Sequence, residues 1–273
     1  MGIKSLFKSK YLLLNEIDSV QTKLKDHQIK NIAIDISCWI HKAKYASECD
    51  LAINESSKAW LYMIYHSFKS LSKSFNLTFV FDGKTPDYKL KEHLKRRENN
   101  KYLLKLGKEL IKNKETEFKG KELIVKTIET SSLVSKLKNF IEEMKLGTIL
   151  QAEYEADLLL AKLSLNNEID LIITEDSDLI AYGCNKILFK YKNDKGMLYH
   201  KEESLKNTNF LTDWDLFKAF CVLCGCDYAK ISGIALKKAE EICKSRDKYN
   251  EWINNGCENS KLLINNTIKL FTI

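Results

Sequence analysis

The sequence predicts an α/β fold with a mainly parallel central sheet flanked by helices, on three observations. Short β-branched runs recur at Asn31–Ile36 (NIAIDI), Leu77–Phe81 (LTFVF) and Asp170–Thr174 (DLIIT). Longer stretches with helical spacing of apolar residues separate them, and strand–helix–strand alternation calls for parallel pairing through crossovers. At 273 residues, 44% hydrophobic and 30% charged, the chain is long and apolar enough to bury a full core.

Met1–Lys10 is basic but has no long apolar centre, so it does not read as a secretory signal. Gly2 fits the start of a myristoylation motif, but Leu6 stands where that motif needs Ser or Thr. Apolar runs are short, such as Leu12–Leu14, which excludes a membrane-spanning helix. After the first strand, Ser57–Ser74 places Trp60, Met63, Ile64, Phe68 and Leu71 on one helical face. Residues 88–117 read as one or two charged helices with a thin apolar face, which suits a mobile element. Ser131–Met144 and Glu153–Leu165 are amphipathic helices, and residues 186–199 are short strands around the turn Asn193-Asp194-Lys195-Gly196. From Thr212 onward only helices are expected. The division is an α/β body over residues 1–211, a basic helical insertion at about 84–126, and a helical region over 212–273. Pro86 is the one proline, and no Gly/Ser linker interrupts the chain.

The net charge of +7 is local. Residues 84–126 hold 14 Lys and Arg against 7 Asp and Glu, and the remaining 30 basic and 30 acidic residues balance. A basic segment in an otherwise neutral chain suits an anionic partner such as a phosphate backbone, although a solvated helical face explains charge alone equally simply. The eight cysteines are expected as reduced thiols. Cys221, Cys224 and Cys226 cluster, but no second ligand pair stands at zinc spacing, so they read as buried face of the helix Leu216–Leu223.

Acids close the strands. Asp35 follows IAI, Asp82 follows FVF, and Asp176 and Asp178 follow IITE, while Glu155 and Asp157 open the next helix and Asp227 stands in GCDY. One acid after a strand is more often a helix cap than a ligand. Three strand ends that all carry acids, at the rim where α/β folds bind ligands, point further. Crowded carboxylates repel each other, and hard divalent cations relieve that repulsion. Many acids beside a phosphate is the arrangement that two-metal hydrolysis uses. From the residues alone this reaches a metal-dependent phosphoryl hydrolase and leaves the substrate open.

At these positions the chain resembles the flap endonuclease/XPG family of 5′ nucleases, and within it the exonuclease 1 branch most closely. The resemblance runs from the opening MGI to about Ala239. It is carried by IAIDISCWIHK (32–42), FVFDGKTPDYK (79–89), YEAD (154–157), IITEDSDLIAYGC (172–184) and GCDY (225–228). It implies a PIN-like 5′-nuclease fold with a helical arch at the basic insertion and a C-terminal helix–two-turn–helix region.

It also implies metal-cluster roles for Asp35, Asp82, Glu155, Asp157, Asp176, Asp178 and Asp227, holding two Mg²⁺ ions for which Mn²⁺ substitutes. Lys89 and Arg96 match the basic pair that sits over the scissile phosphate. They are seven residues apart, two helical turns, so both can face one way. Gly2, Lys84 and Arg97 join them as expected DNA contacts. His41 falls where the family places a ring that stacks on a base near the cut, a contact worth about 1–3 kcal/mol. After GCDY the resemblance implies a K⁺ site of loop carbonyls and a duplex-phosphate contact at Gly233, Lys237 and Lys238. Ala235 replaces a usual glycine there, and Glu153 a usual proline.

The implied activity is 5′→3′ exonucleolysis on duplex ends with 5′-flap endonuclease activity, in DNA repair or replication, and in the nucleus. The implied partner is double-stranded DNA with 5′ ends, nicks or flaps. A monomer is expected, with no membrane partner and no tail for a sliding clamp, since the chain stops at Ile273 sooner than the family's core does. Two alternatives stand beside it: a PIN-type ribonuclease, against which GCDY and its following loop argue, and a structure-specific DNA-binding protein with an inactive centre.

Overall fold

A computed structural model of the chain describes residues 2–272 apart from Lys4, residues 86–89, Asp227 and Cys257; residues 90–93 and Asn259 are described by their backbone alone. The fold is mixed α/β. Among the described residues the strands are β1 (Asn15–Asp18), β2 (Asn31–Asp35), β3 (Asn76–Phe81), β4 (Thr148–Gln151), β5 (Leu171–Ile173), β6 (Lys186–Lys192) and β7 (Lys195–His200). The helices begin with α1 (Val20–Asp26), α2 (Ile36–Ala43), α3 (Ala46–Cys49), α4 (Ala59–Phe68), α5 (Leu90–Leu110), α6 (Glu117–Thr127) and α7 (Ser131–Glu143). They continue with α8 (Ala156–Leu165), α9 (Asp178–Ala181), α10 (Lys201–Leu205), α11 (Trp214–Cys224), α12 (Leu236–Ile242), α13 (Arg246–Asn255) and α14 (Glu258–Leu270). Two compact units divide the chain: residues 30–156, and residues 1–29 with 157–273.

In the unit of residues 30–156, β2, β3 and β4 pair in parallel, with Ile34 beside Phe79 and Phe79 beside Ile149. Ile32, Ala33 and Ile34 are fully buried, as a strand covered on both faces requires. The ring of Trp39 on α2 meets Phe68 on α4 edge-on at 4.6 Å, and Phe68 meets Phe79 at 5.6 Å. The expected helix through Ser74 ends at Phe68, and a 3₁₀ turn at Leu71–Lys73 keeps Leu71 in the core. On α7 the buried residues Leu133, Leu137, Phe140 and Ile141 repeat at helical spacing. Each such side chain contributes about 1.5–3 kcal/mol on full burial.

The basic insertion is a pair of helices, α5 and α6. Lys95, Arg96, Arg97, Lys101, Lys105 and Lys108 are exposed along α5. The two helices touch through glycines: a side chain at Gly107 would meet Gly120 O at 2.9 Å, and one at Gly120 would meet Gly107 O at 2.8 Å. Backbones can approach this closely only where no Cβ intervenes.

In the other unit β5 pairs with β6 in parallel, whereas β6–β7 and β7–β1 are antiparallel. The β6–β7 hairpin turns on Asn193 and Asp194 alone, with φ of 51° and 60°. That is the two-residue geometry Asn and Asp tolerate best, and Lys195 and Gly196 already belong to β7. Asp194 also receives Gln21 N–H on its carboxylate at 3.0 Å, which ties the start of α1 to the turn. Helix α11 is buried along most of its length, including Cys221 and Cys224, and Cys226 is buried just beyond it. Burial pushes the Cys224 thiol up to about 12, so these cysteines are inert core residues, as the sequence suggests.

Polar side chains tie this unit's ends together. Asp213 caps α11 by accepting Leu216 N–H at 3.1 Å, and both of its carboxylate oxygens pair with Arg246 of α13. Arg246 holds the Asp213 carboxyl below its usual range. Buried Glu240 of α12 accepts from Ser9 Oγ and Lys10 N, both at 2.9 Å. No described helix is long and apolar enough to cross a membrane.

Candidate functional site

Each unit presents acids at the carboxyl ends of its parallel strands. In residues 30–156, Asp35 closes β2 and is 4% exposed. Asp35 sits in the N-cap position of α2, yet its side chain makes no capping bond. It accepts instead from Cys38 Sγ at 2.9 Å. The ordinary explanation for an acid after a strand therefore fails at this residue. Asp82 lies just past β3 and is exposed. Its Oδ2 accepts from Ser37 Oγ at 2.5 Å and its Oδ1 from Ala156 N at 2.9 Å. The first turn of α2 thus holds both acids, Asp35 through Cys38 and Asp82 through Ser37. A helix amino end favours negative charge, which suits two neighbouring carboxylates.

Gly83 sets the course of the chain just past Asp82. Its N–H donates to Tyr154 O at 2.5 Å and Lys84 N–H to Glu153 O at 2.9 Å. A Cβ at Gly83 would collide with the backbone of Ala152 and Glu153. This close approach brings Asp82 beside the segment that carries half-buried Glu155. Sequence reasoning does not single out Ser37 or Gly83; the adjacent letters of IDIS and FDGK are the only signal either leaves.

His41 is on α2, with Nε2 3.4 Å from Thr130 Oγ1. Its pKa is held below the ordinary imidazole range, first by loss of hydration, then by Lys44 and Arg96, against an opposing pull from Asp82. His41, Arg96 and Asp82 are therefore electrostatic neighbours. Lys84 is exposed, and Arg97 pairs with Glu129 at 3.3 Å on the surface. Lys89 lies outside the described residues.

In the other unit, Asp176 and Asp178 follow β5 and are 7% and 3% exposed. Asp176 Oδ1 accepts Asp178 N–H at 3.0 Å, and Thr174 Oγ1 accepts Asp176 N–H at 2.9 Å, so the two acids share one tight turn. Gly2 and Ile3 lie against that turn. Ile3 N–H donates to Ser177 Oγ at 2.8 Å. Gly2 has φ +88°, and a side chain there would collide with Asp176 Oδ1 and meet Ser177 Oγ at 2.5 Å. Half-buried Asp157 lies in the first turn of α8 near Cys184, whose thiol burial pushes up to about 12. Asp227 lies outside the described residues.

Gly233 has φ +77° in open space, which favours glycine, and Ala235 is the N-cap of α12 without a side-chain cap. Lys237 and Lys238 are exposed in the first turn, where Lys238 pairs with Glu241 at 2.9 Å.

Within neither unit do three or more described His, Cys, Asp or Glu side chains gather closely enough to hold an ion. The donor set still fits a hard divalent cation. Asp35, Asp176 and Asp178 are nearly completely buried carboxylates, a costly state that positive charge offsets. All seven proposed donors are carboxylate oxygens.

Comparison with known proteins decides the family. The XPG N-terminal domain matches residues 1–102 and the XPG I-region matches residues 148–227. The chain belongs to the flap endonuclease/XPG family of 5′ nucleases. Asp35, Asp82, Lys89 and Arg96 lie in the first family match, and Glu155, Asp157, Asp176, Asp178 and Asp227 in the second. Exonuclease 1 of Xenopus laevis is 32% identical over 252 residues, which is 89% of this chain and 33% of that protein. Flap endonuclease 1 of Cryptosporidium muris is 28% identical over 277 residues, 93% of this chain and 57% of that protein. This flap endonuclease/XPG chain thus spans about a third of the length of the exonuclease 1 it matches. The fold is that of the catalytic core of Rad2 solved with DNA substrate, with a TM-score of 0.64 at 19% identity over 95% of this chain and 74% of that one.

Proposed function

We propose that the chain is a Mg²⁺-dependent, structure-specific 5′ nuclease that hydrolyses DNA phosphodiesters, as a 5′→3′ exonuclease on duplex ends and an endonuclease on 5′ flaps. The observation that carries this reading is that both family regions match while every proposed metal ligand and both phosphate-facing cations fall inside them.

Asp35, Asp82, Glu155, Asp157, Asp176, Asp178 and Asp227 would hold the two ions, with Mn²⁺ able to replace Mg²⁺. Bound there, the metal supplies an activated water and charge stabilisation at the leaving oxygen. The chain's own groups do the rest. Arg96 and Lys89 hold the scissile phosphate by charge and offset the negative charge that develops on it. His41, neutral at pH 7 by the direction of its shift, offers an uncharged ring on which a base stacks. Lys84 and Arg97 contact phosphates without reading sequence. The loop around Gly233, with Lys237 and Lys238, grips the duplex backbone and supplies carbonyls for K⁺. Gly2, besides the DNA contact that the resemblance implies, packs behind Asp176 and keeps that carboxylate in place. The pathway served is DNA repair or replication, in the nucleus, by a monomer acting on duplex DNA with 5′ ends, nicks or flaps.

The test uses Mg²⁺ and two DNAs labelled at their 3′ ends, a recessed duplex end and a 5′ single-stranded flap. A ladder of shortening strands from the recessed end, absent without Mg²⁺ and in Asp176→Ala, is the expected result. A single cut near the flap junction with the recessed end untouched would move the assignment to a flap endonuclease. Binding of both DNAs without cleavage would leave a DNA-binding protein with an inactive centre.

A further inference from the structure

Three consecutive residues between α6 and α7 each meet a side chain from elsewhere in the unit of residues 30–156. Ile128 O accepts from Lys44 Nζ at 2.9 Å, Glu129 Oε1 pairs with Arg97 Nε at 3.3 Å, and Thr130 Oγ1 lies 3.4 Å from His41 Nε2.

Two details set these contacts apart from ordinary packing. Lys44 is only 2% exposed, and a buried ammonium is costly unless something holds it. Its partner is the carbonyl just past the last turn of α6, where helices leave carbonyls without an internal donor and where positive charge is favoured. Burial depresses the Lys44 pKa, in keeping with this seat. Thr130 occupies the N-cap of α7, the position where a threonine hydroxyl normally accepts a helix amide. It makes no such bond, and its hydroxyl lies toward His41 instead.

We infer that residues 128–130 form a strap that fixes the base of the α5–α6 hairpin to α2, with Lys44 and Thr130 as positioning residues for the His41 ring. The strap links the helix that carries Arg96 and Arg97 to the helix that follows Asp35. Only the consequence for DNA cleavage rests on the nuclease reading.

The experiment is amide hydrogen exchange on the full chain without DNA, for wild type, Lys44→Met and Thr130→Val, with the five His rings followed by NMR. Lys44→Met is expected to speed exchange across residues 117–130 by about tenfold or more while β2 and β3 keep their protection. Thr130→Val is expected to shift the His41 ring signals and leave the first turn of α7 unchanged. A threonine acting only as a cap would do the reverse. Unchanged exchange over 117–130 in Lys44→Met would overturn the strap, as would an effect of Thr130→Val confined to α7. If Lys44→Met loses protection throughout, Thr130→Val and Glu129→Ala decide by the same readouts. On 3′-labelled DNA the two variants should cut about tenfold more slowly under single-turnover conditions with enzyme saturating. A strap supported by exchange in a wild type that cuts no DNA would fail the nuclease reading alone.

Discussion

Gly2 has no room for a side chain. Its φ of +88° costs an L residue about 1–2 kcal/mol, and a methyl there would also collide with the Asp176 carboxylate. The second residue of the chain is thereby tied to an acid far along the sequence. Gly2→Ala should lower the urea midpoint and slow Mg²⁺-dependent cleavage together, because the displaced group is a proposed ligand. A variant with both quantities unchanged would show that Gly2 has no such role. Residue-scale chemistry is unevenly legible in the sequence. The seven acids stand out because each follows an apolar run or sits in a tight motif. Ser37, Gly83, Lys44 and Thr130 do not. Each acts through a partner distant in the chain, and nothing in the local pattern marks a serine or lysine for such a contact. Asp35 and Asp82 also differ in a way no spacing reveals: Asp35 leaves its helix uncapped, whereas Asp82 accepts two hydrogen bonds from neighbouring backbone and hydroxyl groups.

Among the elements, the α5–α6 hairpin has a source of contact that its letters do not announce. A thin apolar face predicts a mobile arch, because side-chain burial is the usual source of helix–helix stability. Gly107 and Gly120 offer another source, since bare backbones in contact need little side-chain area. Gly120→Val sets a Cβ at 2.8 Å from both Gly107 O and Ile111 N, backbone atoms that cannot rotate away. Overpacking of this kind costs about 1–3 kcal/mol. The expected result is faster hydrogen exchange over residues 94–127 with the α7 amides unchanged; equal exchange in the hairpin would mean the helices do not touch at these glycines. Strand legibility tracks burial. β2, β3 and β5 are buried apolar runs and are evident from the letters alone. β1 (NEID) and β4 (TILQ) escape sequence reasoning, because their burial alternates or is slight and each lies at the end of its unit's strand order. An edge strand carries polar residues on its open side, so its period-two signal is weak. The turn at Asn193-Asp194 is legible, but the sequence suggests one two residues longer than it is, since Lys195 and Gly196 pair with β6 and β1.

Over the whole chain, charge separates the segment where DNA would bind from the rest, whose charges balance. All of the +7 excess resides in residues 84–126, and Lys101, Lys105 and Lys108 lie exposed at helical spacing on one stretch of α5. Each lysine that neutralises a phosphate releases condensed counterions, so the logarithm of affinity falls with the logarithm of salt by about 0.9 per contact on duplex and about 0.7 on single strands. Replacing these three lysines by Gln should therefore flatten the slope by about 2.7 if α5 meets duplex, or by about 2.1 if it meets a single strand. Anisotropy titrations of flap and blunt duplex DNA between about 50 and 200 mM salt measure it. The control is a triple Gln substitution at Lys25, Lys73 and Lys145, exposed lysines outside the basic segment. Equal flattening in both variants would mean that diffuse charge attracts DNA and that the hairpin holds no special position. Flattening confined to the α5 variant, and larger for the flap than for the blunt duplex, would mean that the hairpin meets the strand that ends in the 5′ terminus. In that case, on the nuclease reading proposed above, the polarity of cutting would follow from where the positive charge is concentrated, and the proposed acid ligands would determine only that a phosphodiester is hydrolysed.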